Sequence, residues 1–170
     1  MDMYETDFHA WALAQAVLLR SEDQRGRADF DRVAEEIEDL ARSARQEVER
    51  DLRAALSGLI GLMAGPGQKE RRALERDVLN ALLDAGDGFT PSMRAHIDLG
   101  SLWGRARTRA RRYADLDGEA WTDPGETCPF TLDQLLAEDV GVDQLLATYI
   151  LTNVVPDVPP DDGDELRGPG

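Results

Sequence analysis

An apolar stripe with a spacing of three or four residues runs unbroken from Val33 to Met63. Because an α-helix returns to the same face at this spacing, the stripe predicts one helix over about residues 31–64. At 1.5 Å per residue such a helix is roughly 50 Å long, and other helices must cover its apolar face. The pattern therefore favours a bundle organised around one long helix. The members of the stripe are Val33, Ile37, Leu40, Ala44, Val48, Leu52, Ala55, Leu59 and Met63.

Helical patterns also account for most of the remaining chain up to residue 153. Shorter helices are predicted over about residues 6–20, 68–85 and 91–113, and two more lie between 131 and 153. Thr131 and Gln134 form a capping-box pattern at the first of these last two helices. No segment has a comparable strand pattern. The sequence thus predicts an all-α fold, a helical bundle built around one long central helix with short C-terminal helices. We expect its core to contain Trp11, Ile37, Leu40, Leu52, Leu82 and Trp103.

Charge divides the chain unevenly. The net charge is −15, yet residues 1–112 carry a net charge of only −2, while residues 113–170 carry −13. Direct binding to nucleic acid is not expected, because phosphate contacts need a cationic surface. The last segment is rich in Pro, Asp and Gly and has almost nothing to bury. We therefore predict a single helical domain over residues 1–153 and a disordered acidic tail over 154–170.

Several classes of protein are disfavoured by composition. No apolar run approaches the roughly 18–20 residues that a membrane span needs. The acidic N-terminus lacks the basic region of a signal peptide. The single cysteine, Cys128, excludes an internal disulfide and a metal site with several cysteines. We therefore expect a cytoplasmic protein without a membrane partner, and no motif indicates a cofactor.

Few side chains have the spacing that catalysis requires. The acidic run Glu35-Glu36-Ile37-Glu38-Asp39 lacks the Glu-x-x-His pairs of a di-iron bundle, so a solvated helix face is the better interpretation. Glu5 and His9 stand four residues apart, which would let the carboxylate orient the imidazole. No nucleophile or pocket accompanies them in the sequence, so a surface pair or a partly buried histidine is favoured. Cys128 is interpreted as a small apolar contact in a loop.

Five arginines within eight positions are the most prominent charged cluster, and they flank the apolar stripe of their own helix. A nucleic-acid patch is one interpretation, but pairing with acidic groups of the long helix is favoured. Residues from the acidic last third could also cover part of this cluster. The candidate interaction surface consists of Arg105, Arg107, Arg109, Arg111, Arg112, Glu35, Glu36 and Glu38.

Three short motifs occur in order along the chain. They are Tyr4-Glu5-Thr6-Asp7 with Trp11, Gln15 and Leu18-Leu19-Arg20; Ala34-Glu35-Glu36-Ile37-Glu38-Asp39-Leu40; and Cys128-Pro129-Phe130-Thr131-Leu132-Asp133-Gln134-Leu135-Leu136. Over about residues 4–140 this ordered set resembles the bacterial DUF29 family of small helical proteins. The resemblance implies a helical bundle and a bacterial origin, and the family is uncharacterised. Many members carry a histidine and a basic or aromatic residue where this chain has Leu59-Ile60-Gly61-Leu62-Met63.

Three functional hypotheses remain open at this point. The favoured one is a non-enzymatic protein-interaction or regulatory module with an unknown protein partner, and self-association into a homo-oligomer is possible. The second is an enzyme whose site is assembled from scattered Glu, His and Arg residues. The third is an acidic mimic of nucleic acid. A closed, buried cluster that holds His9 or Glu36 beside a cavity would favour the enzyme.

Overall fold

The computed structural model describes residues 3–21, 30–65, 68–118 and 120–153. Within these ranges the chain forms α-helices and one 3₁₀ helix, and no strand. The all-α class and the long central helix are thereby confirmed, and the tail predicted for 154–170 lies outside these ranges. The elements are α1 (Met3–Thr6), α2 (Phe8–Ser21), α3 (Phe30–Met63), α4 (Gln68–Gly88), a 3₁₀ helix (Pro91–Ala95), α5 (Leu99–Asp117), α6 (Leu132–Leu135) and α7 (Val142–Asn153).

The main core surrounds the C-terminal half of α3. Gly61 lies beside Leu74 and Gly88 beside Val48, so α4 runs antiparallel to this half of the long helix. Helix α5 covers a second side, and α7 contacts both α3 and α4. No helix in the described part of the chain is long and apolar enough to cross a membrane. Three residues predicted to lie in the core are buried there, namely Leu52, Leu82 and Trp103.

The N-terminal half of α3 packs against α2 in a two-helix arm, which we define as residues 8–21 and 30–47. An ion pair between Arg20 and Glu38 lies on one side of the arm. The helices are antiparallel, and the residues between them are small, which lets two helix axes approach closely. None of these residues belongs to the main core cluster. The fully buried residues of the arm are Ala12, Ala16, Ala34 and Ala41.

The prediction that Leu40 belongs to the core is wrong. Leu40 is 58% exposed and Val33 is 44% exposed, while Trp11 and Ile37 are partly buried. Neighbouring residues of an α-helix point about 100° apart. Because Ala41 faces α2, the adjacent Leu40 points away from it. The stripe is buried from Val48 to Leu59, but in the arm the alanines beside it form the contact face.

The helix predicted over 91–113 is divided in two. A 3₁₀ helix occupies Pro91–Ala95, and α5 begins anew at Leu99. The Asp98 carboxylate accepts a hydrogen bond from the Ser101 N–H at 3.0 Å, which caps α5. Gly118 ends α5 in the left-handed conformation with φ of 70°. The sequence did not predict the break because residues 92–98 contain no glycine or proline.

The segment between α5 and α6 is irregular but anchored to the core. The Trp103 indole N–H donates to the Gly125 carbonyl at 3.0 Å, and the Trp103 ring meets Phe130 edge to face. The predicted capping box forms at α6, where Thr131 Oγ1 accepts from the Gln134 N–H and Gln134 Oε1 accepts from the Thr131 N–H. These contacts hold the start of the acidic third against α5.

Candidate functional site

A groove of about 620 Å³ lies between α3, α4 and α5. Small residues from all three helices line it, which leaves room that larger side chains would fill. Trp121, from the segment after α5, also lines the groove and packs against the main core. Apolar pockets of this size with a few polar groups are typical of small-molecule sites. The small residues are Ala54, Gly58, Gly61, Ala73, Ala110 and Ala114.

The polar groups of the groove come from each helix. Ser57, on α3, is only 8% exposed. Arg109, on α5, donates from Nε to the Tyr113 hydroxyl at 3.1 Å, and its guanidinium lies 5.4 Å from the centre of the Tyr113 ring. The acidic lining residues are Glu70, Asp77 and Asp117. With three acids and one arginine, the lining carries a net negative formal charge.

The arginines of the predicted interaction surface have different surroundings. Arg107 donates to both Asp123 carboxylate oxygens at 2.8 Å. A hydrogen bond from the Gly125 N–H, the Arg107 contact and the nearby Arg111 together hold the pKa of Asp123 below its usual range, although burial acts in the opposite direction. Arg109 faces the groove, as described above. The other three, which are exposed, are Arg105, Arg111 and Arg112.

The acidic half of the predicted surface lies elsewhere, on the arm. Glu35 and Glu36 are exposed, and Glu38 binds Arg20, an interaction that lowers the pKa of Glu38. Among the described residues, the ion pairs of the α5 arginines do not involve these glutamates. The expectation that the acidic face of the long helix receives the arginines is therefore wrong. The arginines belong to the main bundle, whereas the glutamates belong to the arm.

The acidic third does contact arginines from the rest of the chain. Besides the pair between Asp123 and Arg107, Arg94 binds Asp133 at 2.6 Å and Arg71 lies 3.9 Å from Asp143. The partners of these carboxylates lie on α4, α5 and the 3₁₀ helix. The covering expected for the arginine cluster is thus partly present, through Asp123. The acids of residues 161–165 are a further part of the acidic third that could cover the same surface, and they lie outside the described residues.

A second polar cluster joins the start of α2 to the 3₁₀ helix. Asp7 accepts hydrogen bonds from the Ala10 N–H, the Ser92 N–H and the Ser92 hydroxyl at 2.7–2.9 Å. His9 Nδ1 lies 2.8 Å from the same hydroxyl oxygen. His9 is only 3% exposed, and it pairs with Ser92 rather than with Glu5 as the sequence suggested. A pairing across more than eighty residues leaves no local spacing from which it could be predicted.

The hydrogen-bond directions in this cluster do not place His9 as the base that activates Ser92. The Ser92 proton is donated to Asp7, so His9 Nδ1 must act as the donor toward the Ser92 oxygen. A base that activates serine would have to accept that proton instead. Burial and the nearby His96 lower the pKa of His9, while the Asp7 carboxylate acts in the opposite direction. The cluster is a set of helix caps, and none of its residues lines the groove.

Two further candidates for chemistry are Cys128 and the acidic run of α3. Burial raises the pKa of the Cys128 thiol, which disfavours the reactive thiolate. Cys128 packs against the main core, as the sequence indicated. Within the described ranges, no group of three or more His, Cys, Asp and Glu side chains could hold a metal ion. The acidic run that includes Glu36 accordingly forms no such group there.

The fold and these surfaces define a small helical-bundle protein with a two-helix arm. Comparison with known protein families gives a more specific assignment. The family model of DUF29, a domain of unknown function, matches residues 3–140. The chain therefore belongs to the DUF29 family. It is also similar to an α-helical protein of unknown function from Rhodospirillum rubrum ATCC 11170, with 29% sequence identity and a TM-score of 0.78. That similarity covers 86% of this chain and 97% of the other. No curated protein matches the chain.

Proposed function

We propose that this chain is a non-enzymatic protein-interaction module, and that it binds its partner through the apolar stripe of the arm. The observation that carries the proposal is the exposure of Leu40 and Val33, at 58% and 44%, in the arm, where the fully buried residues of α3 are Ala34 and Ala41. Exposed apolar patches with a polar rim mark interaction sites in soluble proteins. We define the arm stripe as Val33, Ile37, Leu40 and Ala44, of which Ile37 is partly buried and Ala44 packs partly against the main core.

The spacing of the arm stripe suits a helical partner. Its members recur at intervals of three and four residues over three turns of α3, a length of about 17 Å. An amphipathic helix presents anchors at the same intervals, so the two can interdigitate ridge into groove. Burying a half-exposed leucine or valine contributes about 1 kcal/mol, so a few such contacts give an association of moderate strength.

Charge next to the stripe favours a partner helix with basic flanks. Glu35 and Glu36 are exposed immediately before Ile37. Asp39, exposed immediately before Leu40, already forms an ion pair with Arg42. Complementary charges mainly accelerate association and select among partners, while the apolar contacts supply affinity. The glutamates of the predicted interaction surface would then act at the rim of this site. Glu38 has a different role within the arm, since it already binds Arg20.

The alternatives have weaker support. The buried cluster around His9 has hydrogen-bond directions that cap helices, which removes the main argument for an enzyme. A nucleic-acid mimic needs an extended acidic surface, but several acids of the last third are paired with arginines. A regulatory role would follow from partner binding and is part of the same proposal.

The test compares binding by the native chain with binding by a variant of the arm stripe. Val33→Glu with Leu40→Glu puts two charges on the stripe, and Leu116→Glu is the matched control because Leu116 is 80% exposed at the end of α5. Each tagged protein is used to capture partners from the cells that naturally express it. Light scattering of the purified proteins measures self-association. Circular dichroism confirms that each variant is folded.

The proposal predicts that partners, or a second copy of the chain, bind the native protein and the Leu116→Glu control. The double variant should lose at least tenfold in affinity while remaining folded. Equal binding by all three proteins would show that the arm stripe is not the interaction surface. Turnover of a substrate that depends on His9 or Ser92 would contradict the non-enzymatic assignment.

A further inference from the structure

The groove between α3, α4 and α5 has the size of a small-molecule site, and it is separate from the arm. Its volume of about 620 Å³ lies within the range of roughly 300–1,000 Å³ that ligand pockets occupy. Gly58 and Gly61 on α3 and Ala114 on α5 are among its small lining residues. The two glycines let α4 side chains pack closely against α3. Filling such a groove with apolar groups of a ligand would remove apolar surface from water.

A buried hydroxyl indicates that the groove receives a polar group as well. Ser57 lines the groove and is 92% buried, since only 8% of it is exposed. Its side chain makes no hydrogen bond with the described residues, and its hydroxyl oxygen is not completely shielded from solvent. The hydroxyl is therefore reachable from the groove. An unpaired hydroxyl in a mostly buried position is costly, so a ligand that satisfies it gains affinity.

The charged side chains around the groove favour a ligand of one sign of charge. Glu70, Asp77 and Asp117 outnumber the single cation, Arg109. Arg109 donates to the Tyr113 hydroxyl and stacks on the Tyr113 ring, and it keeps its positive charge. Because the acids outnumber it, the lining is net negative and favours a cation over an anion.

An aromatic wall completes the site. Trp121 lines the groove and is partly buried. An indole face attracts a protonated amine and also packs against an apolar body. We propose that this groove binds a small molecule that has an apolar, ring-sized body and one protonated amine. The amine would lie toward Asp77, and a donor or acceptor of the ligand would meet the Ser57 hydroxyl.

The test uses three probes that share one body and differ in charge. They are 1-naphthylmethylamine hydrochloride, 1-naphthylmethanol and 1-naphthoate, and each is titrated into the full-length chain by calorimetry. The amine should bind most tightly, the alcohol more weakly and the carboxylate weakest. Because the acids are at the surface, the advantage of the amine should shrink as salt is raised from 20 to 500 mM.

Matched variants locate the binding. Asp77→Asn should weaken amine binding about fivefold, which is the upper range for one exposed charge pair, and leave alcohol binding unchanged. Asp84→Asn is the control, since Asp84 is exposed on the same helix two turns away but does not line the groove. Ser57→Leu should fill the groove and abolish binding of all three probes, with circular dichroism as a check on folding.

Several results would overturn the assignment. These are the absence of amine binding at millimolar concentration, equal affinity for the amine and the carboxylate, and equal effects of Asp77→Asn and Asp84→Asn. The aspartate comparison does not depend on Ser57→Leu, so it holds even if that variant fails to fold. The arm stripe plays no part in any of these measurements. The proposal for the groove and the proposal for the arm can therefore each be contradicted without affecting the other.

Discussion

Asp7 joins the start of α2 to the 3₁₀ helix, 85 residues away in the sequence. Its carboxylate caps two helices at once, because it accepts from the Ala10 N–H in one and from the Ser92 N–H in the other. The Ser92 hydroxyl adds a third bond to it. Since these bonds link the first helices to the segment before α5, the effect of Asp7 on stability should exceed that of a single cap.

We expect Asp7→Ala to lower the free energy of unfolding by about 2 kcal/mol. A single cap is worth about 1 kcal/mol, and here two backbone donors and one hydroxyl lose their acceptor. Urea denaturation of the native and variant proteins measures the difference. Glu5→Ala is the control, because Glu5 is exposed in α1. A loss no greater than that of the control would mean that water replaces the Asp7 bonds at no cost.

The same cluster predicts a pH dependence of stability. The pKa of His9 lies below its usual value of 6.5, and burial is the main cause. The unfolded chain therefore binds the proton at a higher pH than the folded chain does. The contribution of neutral His9 to the free energy of unfolding is fully present above about pH 6.5. It is lost as the pH falls toward the lower pKa of the folded state.

For Asp7, burial raises the pKa, but the hydrogen bonds together outweigh it and leave the pKa below its usual 3.8. Its contribution is present above about pH 3.8 and is lost below that.

The measurement for His9 is the free energy of unfolding at pH 7.5 and at pH 5.5. His9→Gln keeps a hydrogen-bond donor for Ser92 but does not titrate in this range. We expect the native protein to lose more stability between the two pH values than the variant does. An identical loss in both proteins would assign the pH dependence to other groups.

At the scale of elements, the contact between α3 and α4 depends on a close approach at Gly58. A Cβ added there would overlap the Val78 side chain. Gly104, in the interior of α5, is the opposite case, since a Cβ added there meets nothing within 4 Å. Both glycines lower helix propensity, but only one of them is required by packing.

The two glycines therefore give opposite predictions. Gly58→Ala should lower the free energy of unfolding by about 1–3 kcal/mol, because the packed helices must separate to admit a methyl group. Gly104→Ala should raise it by about 0.5–1 kcal/mol through reduced entropy of the unfolded chain. Thermal denaturation of both variants is the measurement. A destabilised Gly104→Ala would contradict the conclusion that packing does not require this glycine.

For the whole molecule, periodicity was enough to predict the class and the central helix, but not which face of the arm is covered. The stripe through Leu40 is the more apolar one, yet Ala34 and Ala41 beside it form the contact with α2. Apolarity alone does not predict which of two adjacent faces of α3 is buried when the residues of α2 that pack against it are alanines. The pairing of Asp7 with Ser92 was equally hidden, because it depends on tertiary distance. The groove needs three helices in place, so its lining has no signature in any one segment.

The sequence predicted only part of the arrangement of charged side chains in the fold. The acidic third does contact arginines of the preceding residues, but it uses single carboxylates such as Asp123 and Asp133 rather than a continuous cover. Such exposed pairs each contribute only about 0–1 kcal/mol. Arg105, Arg111 and Arg112 remain exposed on α5, so an anionic partner could still reach them.

Removing residues 154–170 tests whether the distal acids restrict that access. The segment carries five acids and one arginine, so a chain that ends at Asn153 has a net charge of −11 instead of −15. If the distal acids cover the arginines, the shortened chain should bind heparin at least threefold more tightly at 20 mM salt. The gain should largely vanish at 0.15 M salt, where the screening length is about 8 Å. Replacing Arg105, Arg111 and Arg112 with glutamine in the shortened chain should abolish the gain at low salt, which identifies the surface. Equally weak binding by both chains at both salt concentrations would show that the described part of the fold already determines access to these arginines.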